Sequence, residues 1–157
     1  MTDDSLLPRT KAAPDRCKDG PATILVGVDG STSSLRAAAY AAGLARRQRS
    51  RLIAVYVKQP SAYALPVAGA AGTVIAAQDQ VEQELRSAIE QRVVALDIDV
   101  QLVVRSGEPY AELLEVAGEV HPDAVIVGRS TKILHRIAGS LATKLVRCGR
   151  WPVTVVS

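Results

Sequence analysis

Short apolar runs alternate along this chain with longer segments in which apolar residues recur every three or four positions. The runs predict five buried strands: residues 23–28, 51–57, Ile98 with 100–104, 124–127 and 153–156. The segments between them have helical spacing. A chain that alternates strands with helices pairs its strands in parallel through right-handed crossovers. The pattern therefore predicts an α/β fold, an open, doubly wound parallel sheet of five strands.

The predicted helices differ in the faces they would turn to the sheet. In the first, the apolar positions form an Ala-rich face: Leu35, Ala38, Ala39, Ala42 and Ala45. The second follows a predicted loop at 60–72, and its apolar stripe comprises Val74, Ala77, Val81, Leu85, Ala88, Ile89 and Leu96. The third opens at Gly107-Glu108-Pro109, and the fourth follows Gly139-Ser140 and ends near Gly149.

Residues 1–21 are polar, contain three prolines and lack a hydrophobic period, so they are predicted to be a disordered tail before a domain at 22–157. The two isolated cysteines, Cys17 and Cys148, indicate a reducing compartment. There is no apolar leader, and no apolar run approaches the roughly 18 residues of a membrane span. We therefore expect a cytoplasmic protein that does not enter membranes.

Net charge is +3, but no block of Lys and Arg with interleaved aromatic residues occurs, so nucleic-acid binding is not expected. The sequence also lacks a His–acid–nucleophile set, an acidic metal cluster and a Walker-type phosphate loop. We expect a protein that is not an enzyme, with weak ATP hydrolysis left open.

Candidate chemistry lies at two predicted strand ends, because ligands of doubly wound sheets bind beyond the carboxyl ends of the strands. Asp29 follows the first strand, and its carboxylate would accept hydrogen bonds from a ribose hydroxyl or an adenine amino group. Gly139-Ser140 begins a helix, where free backbone N–H groups attract anions. If the first and fourth strands are neighbours, these features suit the two ends of a nucleotide.

Each feature also has a purely structural interpretation. Asp29-Gly30-Ser31 is equally typical of a turn with a helix cap at Ser31 or Ser33, and Gly139 of a helix entry. Trp151 is expected to pack in the core rather than to stack on a ligand.

Five segments resemble the universal stress protein family over about residues 22–157. They are residues 24–31 (ILVGVDGS), 107–109 (GEP), 124–128 (AVIVG), Gly139-Ser140 and 151–156 (WPVTVV). The resemblance implies a Rossmann-like sheet of the adenine nucleotide alpha hydrolase type, with strand order 3-2-1-4-5. It also implies a regulatory role in stress response and a homodimer formed through strand 153–156.

Members of that family that bind ATP have a motif of Gly, two residues, Gly, nine residues, and Gly-Ser or Gly-Thr. Gly128 resembles its first glycine, and Gly139-Ser140 resembles its last pair. By the same resemblance, Asp29 would hold the ribose or base, and the backbone of Val57 would meet adenine.

The motif departs from the family pattern at Thr131, which replaces the middle glycine and is separated from Gly139 by only seven residues. Thr does not adopt positive φ as glycine does, and a shorter loop follows a different path around a triphosphate. Three outcomes stay open. The chain binds ATP, with Mg²⁺, assisted by Arg129 or Lys132; or it binds AMP or cyclic AMP; or it binds no nucleotide and acts through protein partners.

Overall fold

The structure, a computed structural model, describes residues 20–59, 70–129 and 141–157. In chain order the elements are β1 (Thr23–Val28), α1 (Thr32–Gln48), β2 (Arg51–Lys58), α2 (Ala70–Leu96), β3 (Val100–Ser106), α3 (Pro109–Val120), β4 (Ala124–Gly128), α4 (Leu141–Cys148) and β5 (Val153–Val156). The predicted tail, apart from Gly20 and Pro21, and the predicted helix entry at Gly139-Ser140 lie outside the described residues.

The five strands form one parallel sheet in the order β3-β2-β1-β4-β5. The strand at its centre, β1, pairs with β2 on one side and with β4 on the other. This order confirms both the predicted fold class and the adjacency of the first and fourth strands. The chain reverses direction across the sheet beside β1, so a crevice is expected beyond the carboxyl ends of β1 and β4.

Both faces of the central strand are buried, which explains why its sequence is a continuous apolar run. Ile24, Val26 and Val28 pack in the core beneath α1 and α2. Leu25 points to the opposite face and packs with residues of α3 and α4. Because successive side chains alternate between faces, a single polar substitution here would enter one of the two cores.

Helix α1 begins as predicted, with Ser31 as its N-cap, but it turns a different face to the sheet. Its buried residues are Ser34, Ala37, Ala41, Ala42 and Ala45. Leu35 is 48% exposed and Ala39 is exposed as well, so the predicted inward face was wrong at these two positions. The helix packs on small side chains that let its backbone approach the sheet, which leaves Leu35 at the side.

Two predicted boundaries also needed correction. The predicted loop at 60–72 was too long, since α2 already begins at Ala70. The third strand does not include Ile98 but continues to Ser106, because backbone pairing with Val57 and Lys58 extends it past its apolar residues. Ladder hydrogen bonds do not require apolar side chains, so composition alone understated this strand.

The predicted apolar face of α2 is more exposed to solvent than its sequence pattern suggested. Leu85 is buried, whereas Ala77 and Ala88 are exposed, so these two predicted inward positions were wrong. Helix α2 lies over β3 at the edge of the sheet, where fewer neighbours can cover it.

The opposite layer follows the prediction. The Glu108 carboxylate caps α3 by accepting a hydrogen bond from the Ala111 N–H at 2.8 Å, and Pro109 occupies the first turn. Trp151 packs against the core formed with α3 and α4, as expected, and the Arg150 guanidinium lies 4.7 Å from the centre of its ring.

Candidate functional site

Three of the five predicted site residues lie at one edge of the sheet. Asp29 follows β1, Val57 is the next-to-last residue of β2, and Gly128 closes β4. Since β1 lies between β2 and β4 and all three strands run in parallel, their carboxyl ends meet. The other two predicted site residues, Gly139 and Ser140, lie outside the described residues.

Asp29 shapes the turn that carries β1 into α1. Its Oδ1 accepts a hydrogen bond from the Ser31 N–H at 2.9 Å, and its own N–H donates to Ser34 Oγ at 3.2 Å. Gly30 adopts φ +80°, a conformation that other residues rarely reach. The turn-and-cap interpretation is therefore correct. It does not preclude ligand binding, because an ionised carboxylate has about four acceptor positions and the Asp29 residue is exposed.

Gly128 packs directly against the backbone of the first turn of α1. A Cβ placed on Gly128 would lie 2.6 Å from the backbone N of Ser34 and from the carbonyl carbon of Ser33. Glycine is required here by packing alone, whether or not a ligand approaches. The contact also brings the end of β4 beside the turn that holds Asp29.

The backbone of Val57 faces the crevice side of β2. In this ladder Arg51 N donates to Ala22 O on the β1 side, whereas Leu52 N donates to Asp99 O on the β3 side. Because residues of a parallel strand alternate between neighbours, the backbone groups of Val57 point toward β1. The last β1–β2 pair is Val28 with Tyr56, so the Val57 carbonyl lies where β1 has already turned away.

Helix α2 is joined to the end of β2 by a network of ion pairs that was not predicted from the sequence. Lys58 Nζ lies 2.7 Å from Asp79 Oδ1 and 2.7 Å from Glu82 Oε2, and these three residues form the Lys58 clasp. Arg86 pairs with the other carboxylate oxygen of Glu82 at 2.7 Å. The carboxylate hydrogen bonds raise the pKa of Lys58, and the hydrogen bonds from Lys58 and then Arg86 lower the pKa of Glu82.

Two further contacts join the same parts. The Tyr56 hydroxyl donates to the Gln78 carbonyl at 3.2 Å, and Gln78 Nε2 donates to the Gln59 carbonyl at 2.9 Å. Burial raises the pKa of Tyr56, and the Asp29 carboxylate contributes to that rise. These contacts join the first half of α2 to the end of β2.

A faint signal for this ion network is present in the sequence. Asp79 and Glu82 are three residues apart, so both carboxylates lie on one face of a helix. A lysine at the end of the preceding strand is their natural partner. Sequence spacing could not show that α2 folds back over β2, and that geometry creates the clasp.

The sequence matches the model of the universal stress protein family over residues 22–157. The chain belongs to this family. Universal stress protein MJ0531 of Methanocaldococcus jannaschii is 27% identical over 136 residues, which are 85% of this chain and 80% of that protein.

Solved structures of the family share the fold. One universal stress protein, crystallised in complex with cAMP, is 29% identical with a TM-score of 0.65, and the match covers 87% of this chain and 97% of that one. A family member from Burkholderia pseudomallei is 21% identical with a TM-score of 0.69, covering 86% and 95% of the two chains. The second comparison supports the fold alone.

Two kinds of feature are absent from residues 20–59, 70–129 and 141–157. No helix there is long and apolar enough to cross a membrane. No group of three or more His, Cys, Asp or Glu side chains is arranged to hold a metal ion.

Proposed function

We propose that this universal stress protein is a regulatory module that binds an adenine nucleotide in the crevice beyond β1 and β4. The observation that carries the proposal is the meeting of Asp29, the Val57 backbone and Gly128 at one sheet edge. The role is occupancy-dependent signalling rather than catalysis.

The described residues fit the adenosine half of such a ligand. Asp29 supplies an acceptor for ribose hydroxyls or the adenine amino group, and the Val57 carbonyl faces the same space. Gly128 keeps the end of β4 close to the Asp29 turn. Where Mg²⁺ accompanies a bound triphosphate, phosphate oxygens and water would supply most of its ligands.

A nucleotide with one phosphate is the form we favour. Thr131 in place of glycine and the short spacing to Gly139 alter the segment that would surround a triphosphate. The family member of 29% identity was crystallised with cAMP, a nucleotide with a single phosphate. AMP and cyclic AMP are therefore expected to bind more tightly than ATP.

We further propose that the protein acts as a homodimer through β5. This strand is at the edge of the sheet, where its outer backbone groups can pair with a second copy. Val155 of β5 and Val146 of α4 are 44% and 56% exposed, and both line one shallow depression. Pairing two such edges would cover these apolar side chains.

Isothermal titration of the purified protein with AMP, cyclic AMP and ATP plus Mg²⁺ tests the nucleotide proposal. Saturable heat with one of them, weakened by Asp29→Asn, supports it. Absence of heat for all three contradicts it.

A second function is favoured by the hydrogen bond from Ser31 to the Asp29 carboxylate, because Asp29 has a structural use without any ligand. In that case the protein acts through protein partners alone. A dimer in sedimentation experiments, together with no heat of binding in any of the three titrations, would support this function over the first.

A further inference from the structure

An apolar cavity of about 290 Å³ lies between α1 and α2, above β1 and β2. Its lining comprises thirteen apolar residues and one charged residue, Arg92. Neither Asp29, Val57 nor Gly128 belongs to this lining, so the cavity is distinct from the proposed nucleotide crevice.

The cavity has a buried floor and an exposed mouth. Val26 and Leu52 of the sheet and Leu85 of α2 are buried and form part of the floor. Ala39 of α1 and Ala88 of α2 are exposed and line the opposite side, with Arg92. The space exists because the α1 residues that face it include alanines, which are too short to fill it.

Arg92 lies on the apolar stripe of α2, at a position where the helical spacing would otherwise predict an apolar residue. Its neighbours three and four positions away are Ala88, Ile89, Ala95 and Leu96, none of which can pair with a guanidinium. Arg92 forms no ion pair or hydrogen bond with any described residue. Arg86, on the same helix, pairs by contrast with Glu82.

We propose that this cavity binds a small aliphatic carboxylate. The chain would occupy the apolar floor, and the carboxylate would form a bidentate pair with Arg92 at the mouth. At roughly 30 Å³ for each water-sized group, the cavity holds about ten such groups. This size suits a carboxylate of medium chain length, and Arg92, the one charged residue of the lining, selects an anionic head.

Decanoate is the ligand used to test the proposal, and decanol, which has the same chain length but no charge, is its control. Titration calorimetry below the micellar range should show one saturable decanoate site and weaker binding of decanol. Arg92→Gln should weaken decanoate about tenfold and leave decanol unchanged. Arg86→Gln, which removes the same charge from the same helix, should leave both unchanged.

Filling the cavity supplies an independent test. Ala39→Leu adds three carbons at the exposed mouth, keeps a good helix former and should weaken both ligands. Ala77→Leu is the control, because Ala77 is exposed on α2 but does not line the cavity. Neither substitution should change nucleotide affinity, so failure here is distinguishable from failure of the crevice.

Two results would overturn the proposal. Absence of decanoate binding to a folded wild-type protein, together with a raised melting temperature in Ala39→Leu, would show that the cavity is only imperfect packing. Equal loss of decanoate binding in Arg92→Gln and Arg86→Gln would show general charge attraction rather than a site.

Discussion

Lys58 Nζ lies 2.7 Å from the Glu82 carboxylate, and this pair joins the carboxyl end of β2 to the first half of α2. The side chains are 23% and 19% exposed, so the pair is more sheltered than the other ion pairs of the described residues. A shift of α2 at this point would disturb the hydrogen bond from the Tyr56 hydroxyl to the Gln78 carbonyl. The clasp therefore links the carboxyl edge of the sheet, where the nucleotide is proposed to bind, to α2.

Lys58→Met is expected to loosen the first half of α2 without unfolding the domain. The substitution leaves Asp79 and Glu82 without their shared cation, while the buried strands are untouched. Amide hydrogen exchange should accelerate in residues 74–82 and stay unchanged in β1. Arg86→Gln removes only the outer partner of Glu82 and should have a smaller effect. Equal protection in wild type and Lys58→Met would show that the clasp does not hold the helix.

The clasp should open in acid. Hydrogen bonds from Lys58 and Arg86 lower the pKa of Glu82 below its ordinary 4.5, so its contribution is present above that value and is lost as pH falls through the folded pKa. Lys58 has a raised pKa, so its contribution is complete below its ordinary 10.5 and is lost only at higher pH.

Protection factors of residues 74–82 should therefore be level across neutral pH and decline below about pH 4.5. Glu82→Gln should flatten the acid decline, whereas Glu84→Gln, which lies outside the clasp, should retain it. An identical acid profile in Glu82→Gln would assign the decline to other carboxylates.

Gly128→Ala is expected to destabilise the fold by about 3 kcal/mol, at the upper end of overpacking costs. The added Cβ would lie 2.6 Å from backbone atoms of Ser33 and Ser34, which cannot move aside as a flexible side chain does. Gly118→Ala is the matched control, because a Cβ at this helical position meets nothing within 4 Å. Gly118→Ala should raise the free energy of unfolding by up to about 1 kcal/mol. Urea denaturation of both variants measures the difference, and two similar midpoints would contradict the packing role.

The sheet could be predicted because each strand is a short apolar run and the helices between them force parallel connections. The faces of the helices were harder to predict. Leu35 has the more apolar side chain, yet α1 packs through Ala37 and Ala41, since close approach to a sheet selects small residues. The strand end at Asp29 was located by its break in hydrophobicity.

The role of Gly128 in packing against Ser34 and the return of α2 to Lys58 depend on tertiary contacts. Such contacts leave no periodic trace in the sequence, so spacing alone could not have predicted them.

Substitutions at Asp29 should separate its two uses. Asp29→Ala loses both the acceptor for the Ser31 N–H and the proposed ligand contact, so stability should fall by about 1 kcal/mol along with nucleotide affinity. Asp29→Asn keeps an acceptor oxygen for the turn but removes the charge. It should therefore retain the melting temperature while nucleotide affinity falls about tenfold.

Asp99→Ala is the control for Asp29, since it removes an exposed carboxylate at the amino edge of the sheet. Thermal melts and calorimetry report the two properties separately. Wild-type nucleotide affinity in both Asp29 variants would remove this residue from the binding site.

Val155→Lys is expected to convert a dimer into monomers. The Val155 side chain is 44% exposed on the edge strand, and a lysine in each copy would place two cations across the proposed interface, near Arg129 and Arg147. A lysine on an edge strand also opposes strand pairing in general. Ile75→Lys is the control, because Ile75 is 53% exposed but lies on α2, over the opposite edge of the sheet. Sedimentation velocity should show a monomer for Val155→Lys only, and a dimer in both variants would place the interface away from β5.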